Sequence, residues 1–318
     1  MTAVIINPVA GTGSRPDVAR RRAELAAAIF ERRRVPVEIF VSERGGHARE
    51  LAAAAVARGT RLIIAWGGDG TVNEVASAVA FTDAALGIVP TGSGNGLARE
   101  LGVPLDATRA IDAAVDGVER TMDAGDLDGH LFFNIAGIGL DARIAHRFTE
   151  TGLVRRGLRR YAEITLRELF AFEPDEHTIV ANGTTARVRA MLIAIANSRQ
   201  YGHGAIIAPD ARIDDGRLDI VIVNHRSPMA ALMQLPRLFG GKVTAVPGVT
   251  VMVAAEVEVS STAGSPVPYH VDGEPFVGGR SVKARVFPSA LKVRVPPLAG
   301  SRPKSYTGFT SPDGVRGV

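Results

Sequence analysis

The chain has no cysteine among its 318 residues. That excludes a disulfide scaffold, a thiol nucleophile, a thiolate zinc site and a cysteine-ligated iron–sulfur cluster. Aromatic residues are scarce, at 5% with one Trp. The basic residues therefore lack an interleaved stacking platform, which argues against a nucleic-acid partner. No uninterrupted apolar run reaches the roughly 18–20 residues of a membrane span. The start, Met1-Thr2-Ala3-Val4-Ile5-Ile6-Asn7-Pro8, lacks the basic region and small-residue cleavage site of a signal peptide. The expected address is the cytoplasm, with membrane contact only at the surface. Neither sign of charge dominates, since 37 Lys and Arg against 33 Asp and Glu leave +4. Placement of charge matters more than that surplus.

What is present is ordinary globular material, 46% hydrophobic and 22% charged, with 35 Gly and 18 Pro for tight turns. The length suits two domains. Up to about Met122, short apolar strands (Val4–Asn7, Val37–Val41, Arg61–Trp66, Leu86–Val89) alternate with helical stretches (Asp17–Arg34, His47–Arg58, Thr71–Phe81, Leu97–Leu101, Thr108–Val118). That alternation predicts an α/β domain over residues 1–122, with a parallel sheet and ligands beyond its carboxyl edge. Residues 123–297 change rhythm. Leu131–Ile135, His177–Ala181, Arg187–Ala196, Leu218–Val223, Thr250–Val259, Ser281–Phe287 and Leu291–Val295 read as strands. Turn signals such as Asn182-Gly183, Asp215-Gly216 and Asp272-Gly273 separate them, so an antiparallel, β-rich domain is expected. Helices near Leu153–Phe172 and Pro228–Phe239 interrupt it, and the polar tail 298–318 reads as frayed.

Three glycine-bearing turns each follow a strand of the first domain: Asn7–Ser14, Gly67-Gly68-Asp69-Gly70-Thr71-Val72-Asn73-Glu74, and Pro90-Thr91-Gly92-Ser93-Gly94-Asn95-Gly96. Backbone N–H groups without neighbouring Cβ atoms can approach a phosphate, and a helix N-terminus adds partial positive charge. Tight strand–helix connections of any doubly wound fold are the alternative reading. None matches the phosphate loop ending in Gly-Lys-Ser/Thr, and Gly11-Thr12-Gly13 lacks the third glycine of a dinucleotide fingerprint.

Gly67-Gly68-Asp69-Gly70-Thr71 is the signature shared by diacylglycerol, sphingosine and NAD kinases and by phosphofructokinases. With Asn7-Pro8-x-Ala10-Gly11-x-Gly13, Pro90–Asn95 and Val271-Asp272-Gly273-Glu274 in order, the chain resembles a bacterial lipid kinase of the diacylglycerol kinase catalytic-domain family. The likeness runs from about Val4 to Val295. It implies a Rossmann-like ATP-binding domain and a β-sandwich-like lipid domain. It also implies ATP contacts at Asn7, Ser42, Gly67, Gly68, Asp69, Gly70, Thr71, Val72, Asn73 and Ser93. Asp69 and Asp123 resemble members of an Asp–water–Mg²⁺ network at the phosphates. A helix-capping carboxylate is the plainer reading of Asp69. Gly96 departs from the Asp that many relatives place there and cannot join that network.

By the same resemblance Glu274 is the general base that accepts the acceptor hydroxyl's proton. Asp215 with the carbonyls of Arg212 and Arg217 resembles a structural Mg²⁺ loop, against the plain reading of an Asp-Gly turn. Asp141 resembles the position that meets the lipid headgroup, or is a helix-start carboxylate. Arg155, Arg156, Arg159 and Arg160, among apolar residues, offer a basic face to anionic headgroups or are a solvated face. The expected function is an ATP- and Mg²⁺-dependent lipid kinase acting on diacylglycerol or a sphingoid-like alcohol. An NAD kinase-like enzyme and a catalytically silent nucleotide- or lipid-binding protein are the alternatives. Expected partners are the lipid and an anionic membrane surface, with a homodimer left open and no nucleic acid.

Overall fold

The computed structural model describes residues 1–11, 16–150, 158–202, 204–224 and 227–297. The frayed tail assigned to 298–318 lies outside them, as do Thr12, Gly13 and Ser14 of the first glycine turn.

The first third alternates as its apolar pattern requires: β1 (Thr2–Ile6), α1 (Pro16–Arg33), β2 (Val37–Val41), α2 (His47–Ala57), β3 (Leu62–Gly67), α3 (Asp69–Val79), β4 (Ala85–Pro90), α4 (Gly96–Glu100) and α5 (Ala107–Asp116). β1 lies between β2 and β3, and β3 pairs with β4, all in parallel register. β1 is buried at every residue, and β3 and β4 nearly so. That continuous apolar character marks strands covered by helices on both faces. Asp106 caps α5, accepting from Arg109 N at 2.9 Å.

The remainder is mostly antiparallel: β5 (Val118–Leu127), β6 (His130–Phe132), β7 (Ile135–Gly139), α6 (Leu140–Glu150), α7 (Leu158–Ala171), β8 (Glu176–Ala181), β9 (Thr184–Ala196), β10 (Gln200–Gly202), β11 (Ala205–Ile206), β12 (Leu218–Asn224), α8 (Pro228–Phe239), β13 (Val249–Ala254), β14 (Glu256–Ser261), β15 (Pro268–Val271), β16 (Glu274–Val277) and β17 (Ser281–Val295). Two-residue turns at Asp128-Gly129, Asn182-Gly183 and Asp272-Gly273 close the β5–β6, β8–β9 and β15–β16 hairpins, with positive φ at both residues of each. Asp-Gly and Asn-Gly tolerate that backbone and match its twist to the strands. β9 crosses between two sheets. Its first half pairs with β8 and its second half with β7 and β12. The space between holds Leu127, Phe132, Ile138, Ile179, Ile193, Leu218, Val257 and Ala284, so the β-rich part is a sandwich with its own core.

Several readings from the sequence change. Leu131–Ile135 is not one strand but the end of β6 and the start of β7, parted at Phe133-Asn134, whose N–H groups go to the Asp272 carboxylate instead of a strand partner. Thr250–Val259 is two strands, because the chain leaves one sheet for the other at Ala255: β13 pairs with β12, and β14 with β8 and β17. Conversely, Ser281–Phe287 and Leu291–Val295 are one strand with a register shift at Pro288–Ala290. Its end returns to the first domain, where Lys292 and Val293 pair in parallel with Ala85 and Leu86 of β4. α6 begins ahead of the Leu153–Phe172 stretch and carries Asp141 in its first turn, as the helix-start reading of that residue has it; its apolar face, Leu140 and Ile144, packs on Ile164 and Leu169 of α7. Among the described residues no helix is long and apolar enough to cross a membrane.

Phe132 is fully buried and fills the space over Gly125, where a Cβ would stand 2.1 Å from its ring. Phe132→Ala is expected to cost about 3–5 kcal/mol. A urea titration followed by Trp66 emission reads this, and an unchanged midpoint would contradict the packing described.

Candidate functional site

The carboxyl ends of the parallel strands lead into the three glycine turns. Asn7, just past β1, is held by its backbone N–H to Trp66 O (2.9 Å), and its amide donates to Thr71 Oγ1 at 2.8 Å. Arg22 of α1 reaches back to donate to Asn7 O and Ala10 O at 2.6 and 2.8 Å. Burial lowers the Arg22 pKa. Ser42, at the end of β2, is buried, and its N–H donates to Ile6 O. The second and third turns pack backbone against backbone. A Cβ on Gly92 would stand 2.7 Å from the Gly68 Cα. Glycine here serves close turn–turn contact as much as approach by a ligand.

Asp69 opens α3, and its carboxylate does not cap its own helix. Its two oxygens accept from Asn95 N and Gly96 N at 2.9 and 2.7 Å, capping the short α4 in the third turn. Glu74, the last residue of the signature stretch, caps α2 by accepting from Gly46 N and Ala48 N. At Gly96 a Cβ would stand 2.4 Å from Asn134 Nδ2, so Asn134 occupies the place a side chain would take.

One cavity runs from these turns into the β-rich part. Asp69, Val72, Asn73, Ser93 and Gly94 line one end. Leu97, Phe133, Ile135, Ala145 and Phe148 make an apolar wall, with Asp141, Tyr201 and His270 as its polar groups. Of the ATP contacts expected from the sequence, Asp69, Val72, Asn73 and Ser93 line the cavity. Asn7, Ser42, Gly67, Gly68, Gly70 and Thr71 are not among its lining residues.

The remaining candidates separate. Glu274 is exposed at the start of β16, next to Gly273, which lines the cavity. The Asp272 carboxylate turns inward and accepts four hydrogen bonds, from Asn73 Nδ2 (2.9 Å) and from the N–H groups of Phe133, Asn134 and Ile135 (3.0 Å each). Burial pushes its pKa up while those donors pull it down. Asp123 does not line the cavity. It is buried, accepting from Gly216 N and Ser289 N at 2.7 Å each, and so pins the Arg212–Arg217 loop to β17. Within that loop Asp215 is exposed and accepts from Arg217 N. Arg155 and Arg156 lie outside the described residues, as do the side chains of Arg159 and Arg160.

Asp272, Asn134, His270 and Tyr201 went unread in the sequence as site residues. A histidine two places before an Asp-Gly turn, on a strand of otherwise apolar residues, was a usable signal. Tyr201 had none, because its partners lie 60 and 69 positions away.

A parallel α/β half and an antiparallel sandwich that share one cleft, polar at the glycine turns and apolar beyond, define the class. The family follows from comparison with known proteins. The diacylglycerol kinase catalytic domain matches residues 1–127, and the YegS C-terminal NAD kinase beta sandwich-like domain matches residues 134–295. The chain is similar to "Diacylglycerol kinase" of Mycobacterium tuberculosis (strain ATCC 25618 / H37Rv), 32% identical over 299 residues, covering 92% of this chain and 94% of that one. It is also similar to "Probable lipid kinase YegS-like" of Pseudomonas aeruginosa PAO1, 34% identical over 297 residues, covering 87% and 91%. A solved diacylglycerol kinase from Bacillus anthracis str. Sterne shares the fold, with a TM-score of 0.71 at 21% identity over 93% of this chain and 97% of that one. The chain belongs to the diacylglycerol kinase-like, YegS-like lipid kinase family.

Asp219, at the start of β12, is pushed up to about 6 by burial and by the charges of Asp215 and Asp210. The folded chain then keeps a proton that the unfolded chain releases near 3.8, so stability falls as pH rises between 3.8 and about 6. In chelator, melting temperatures across that window should fall for the wild type and fall less for Asp219→Asn. Identical slopes would remove Asp219 as the cause.

Proposed function

We propose that this chain transfers the γ-phosphoryl group of ATP, with Mg²⁺, to the hydroxyl of a lipid alcohol, diacylglycerol or a sphingoid-like base. The observation that carries this reading is the two-ended cavity. A triphosphate suits the glycine-turn end with Asp69, Asn73 and Ser93, and an acyl-bearing alcohol suits the apolar wall around Asp141. In the transfer the acceptor oxygen forms a bond to the γ-phosphorus while the bond to the bridging oxygen of ADP breaks. Glu274, on the turn that borders the cavity, takes the proton from the acceptor.

Mg²⁺ would offset charge on the transferred group. Asp69 fits a water-mediated role there, because it lines the cavity and each oxygen keeps a lone pair beyond its backbone bond. Asp123 does not fit, since it does not line the cavity; its carboxylate ties Gly216 N to Ser289 N. Among the described residues no group of three or more His, Asp or Glu side chains is placed to hold a metal. The second metal would thus rest on the Asp215 carboxylate and the Arg212 and Arg217 carbonyls. The charges of Asp215 and Asp210, which act on Asp219, make the surroundings of that loop negative, as suits a cation held by one carboxylate and carbonyls.

Labelled ATP with a panel of diacylglycerol, sphingosine, phosphatidylglycerol and NAD tests the reading. Label should move into one organic-soluble product, and Glu274→Gln should fold but lose about a hundredfold or more in turnover. Label in NAD, or none transferred, would reject it. Near-normal turnover by the variant would release Glu274 alone.

A membrane role is part of the same proposal. α7 packs on α6, whose Ala145 and Phe148 wall the cavity, and Ala231 of α8 adds to the same apolar cluster. Leu166 and Phe170 of α7 and Met229 and Met233 of α8 are 45–64% exposed. Apolar side chains so placed at a lipid-accepting end fit insertion into a headgroup layer, with Arg167 beside them for anionic lipid. The double variant Phe170→Glu, Met233→Glu should lose most sedimentation with anionic vesicles while still acting on a short-chain soluble acceptor. Undiminished sedimentation would defeat this placement.

A further inference from the structure

The acceptor end of the cavity holds a polar cluster that the transfer described above leaves without a role. Asp141, in the first turn of α6, accepts from Ala142 N at 2.8 Å through Oδ1. Its Oδ2 faces His270 Nε2 at 3.0 Å and accepts from the Tyr201 hydroxyl. The histidine tautomer follows from its other nitrogen. Gly273 N donates to His270 Nδ1 at 3.2 Å, so Nδ1 carries a lone pair and Nε2 carries the hydrogen given to Asp141. The pair is well enclosed, with side chains 5% and 10% exposed.

The pairing depends on the bare backbone of β7. At Gly137 a Cβ would stand 1.8 Å from Asp141 Oδ2 and 2.7 Å from His270 Nε2. Any side chain there would force the two apart. One imidazole therefore joins the start of α6, which carries the cavity's aspartate, to the Asp272-Gly273 turn, which carries Glu274.

We propose that His270 is a positioning residue for phosphoryl transfer: it holds Asp141 toward the acceptor alcohol and, through Gly273, sets the turn from which Glu274 acts. This rests on the lipid-kinase reading. The cluster's two hydrogens, Tyr201 O–H and His270 Nε2–H, are both spent on Asp141. What it presents to a ligand is therefore acceptor atoms and negative charge. It suits a headgroup that brings its own O–H and repels one that already bears phosphate, which also favours departure of the phosphorylated product.

Two substitutions divide the bridge. His270→Asn keeps an acceptor where Nδ1 stands and loses the donor to Asp141. His270→Gln keeps a donor where Nε2 stands and loses the acceptor for Gly273. His270→Asn should raise the acceptor KM about tenfold, with kcat and the ATP KM within about twofold; His270→Gln should lower kcat about tenfold with the acceptor KM within about twofold. Constants all within twofold in both variants would overturn the proposal, and so would equal losses toward ATP and acceptor. Histidine ¹⁵N spectra of the wild type judge it without any variant. The His270 signal should show the Nε2–H tautomer and move on adding a short-chain diacylglycerol; an Nδ1–H tautomer overturns the pairing. A wild type that labels no alcohol removes the lipid-kinase reading and the proposal with it. An active wild type with indifferent variants removes the proposal alone.

Discussion

Four N–H groups converge on one carboxylate, Asp272, and the cleft depends on that convergence. One donor, the Asn73 amide, belongs to α3 of the parallel half; the others are the backbone of Phe133, Asn134 and Ile135 entering the sandwich. The acceptor itself sits on the β15–β16 turn. Three segments distant in sequence are thus fixed to a single point, and Asn73 adds a second tie to Leu131 O. Charge-assisted bonds of this kind are stronger than neutral ones, and a buried donor left unpaired costs more than its bond contributes. The glycine turns and the apolar wall keep one relative position because neither half can move without stripping partners from this group.

The same economy runs through the other motif carboxylates. Asp69 holds α4 by its N-terminus, Glu74 holds α2, and Asp123 holds the Arg212–Arg217 loop against β17. Each spends its charge on backbone N–H groups at the edge of an element. Left uncompensated, acidic residues gathered around one cleft would repel one another. Compensated by N–H dipoles, they shape turns while leaving the field at the glycine-turn end of the cleft less negative. Glu274 stands apart from this set because it is exposed, next to the Gly273 that lines the cavity.

Most of the architecture was legible because it rests on local signals. The β1–β4 and α1–α5 boundaries follow apolar runs and glycine turns to within a residue or two. The Asn182-Gly183 and Asp272-Gly273 hairpins follow turn chemistry. What escaped was set by long-range pairing. Nothing in Thr250–Val259 marks Ala255 as the point where the chain changes sheets, since the run holds no Gly, Pro or other turn residue there, although the inward positions change parity across it. Nothing in Ser281–Val295 tells that its end rejoins β4. In the site, the resemblance placed Asp69, Val72, Asn73 and Ser93 at the cavity. It could not show that Asp123 faces away from it or that the Asp272 side chain, rather than only its backbone turn, joins the halves.

Gly96 shows how such a departure is absorbed. Its missing side chain is replaced in space by the Asn134 amide, which donates to Gln200 O at 2.7 Å and accepts from the Ser198 hydroxyl. Asn134 is also one of the residues whose N–H reaches Asp272. An Asp at position 96 would have to displace an amide that is bonded on both sides and anchored through its own backbone to the central carboxylate. The shift would spread to β10 and to the Asp272 turn, so the glycine and the asparagine belong to one packing solution. The glycine-turn end of the cleft consequently has Asp69 on its lining and, beside position 96, the Asn134 amide in the space a side chain would otherwise fill.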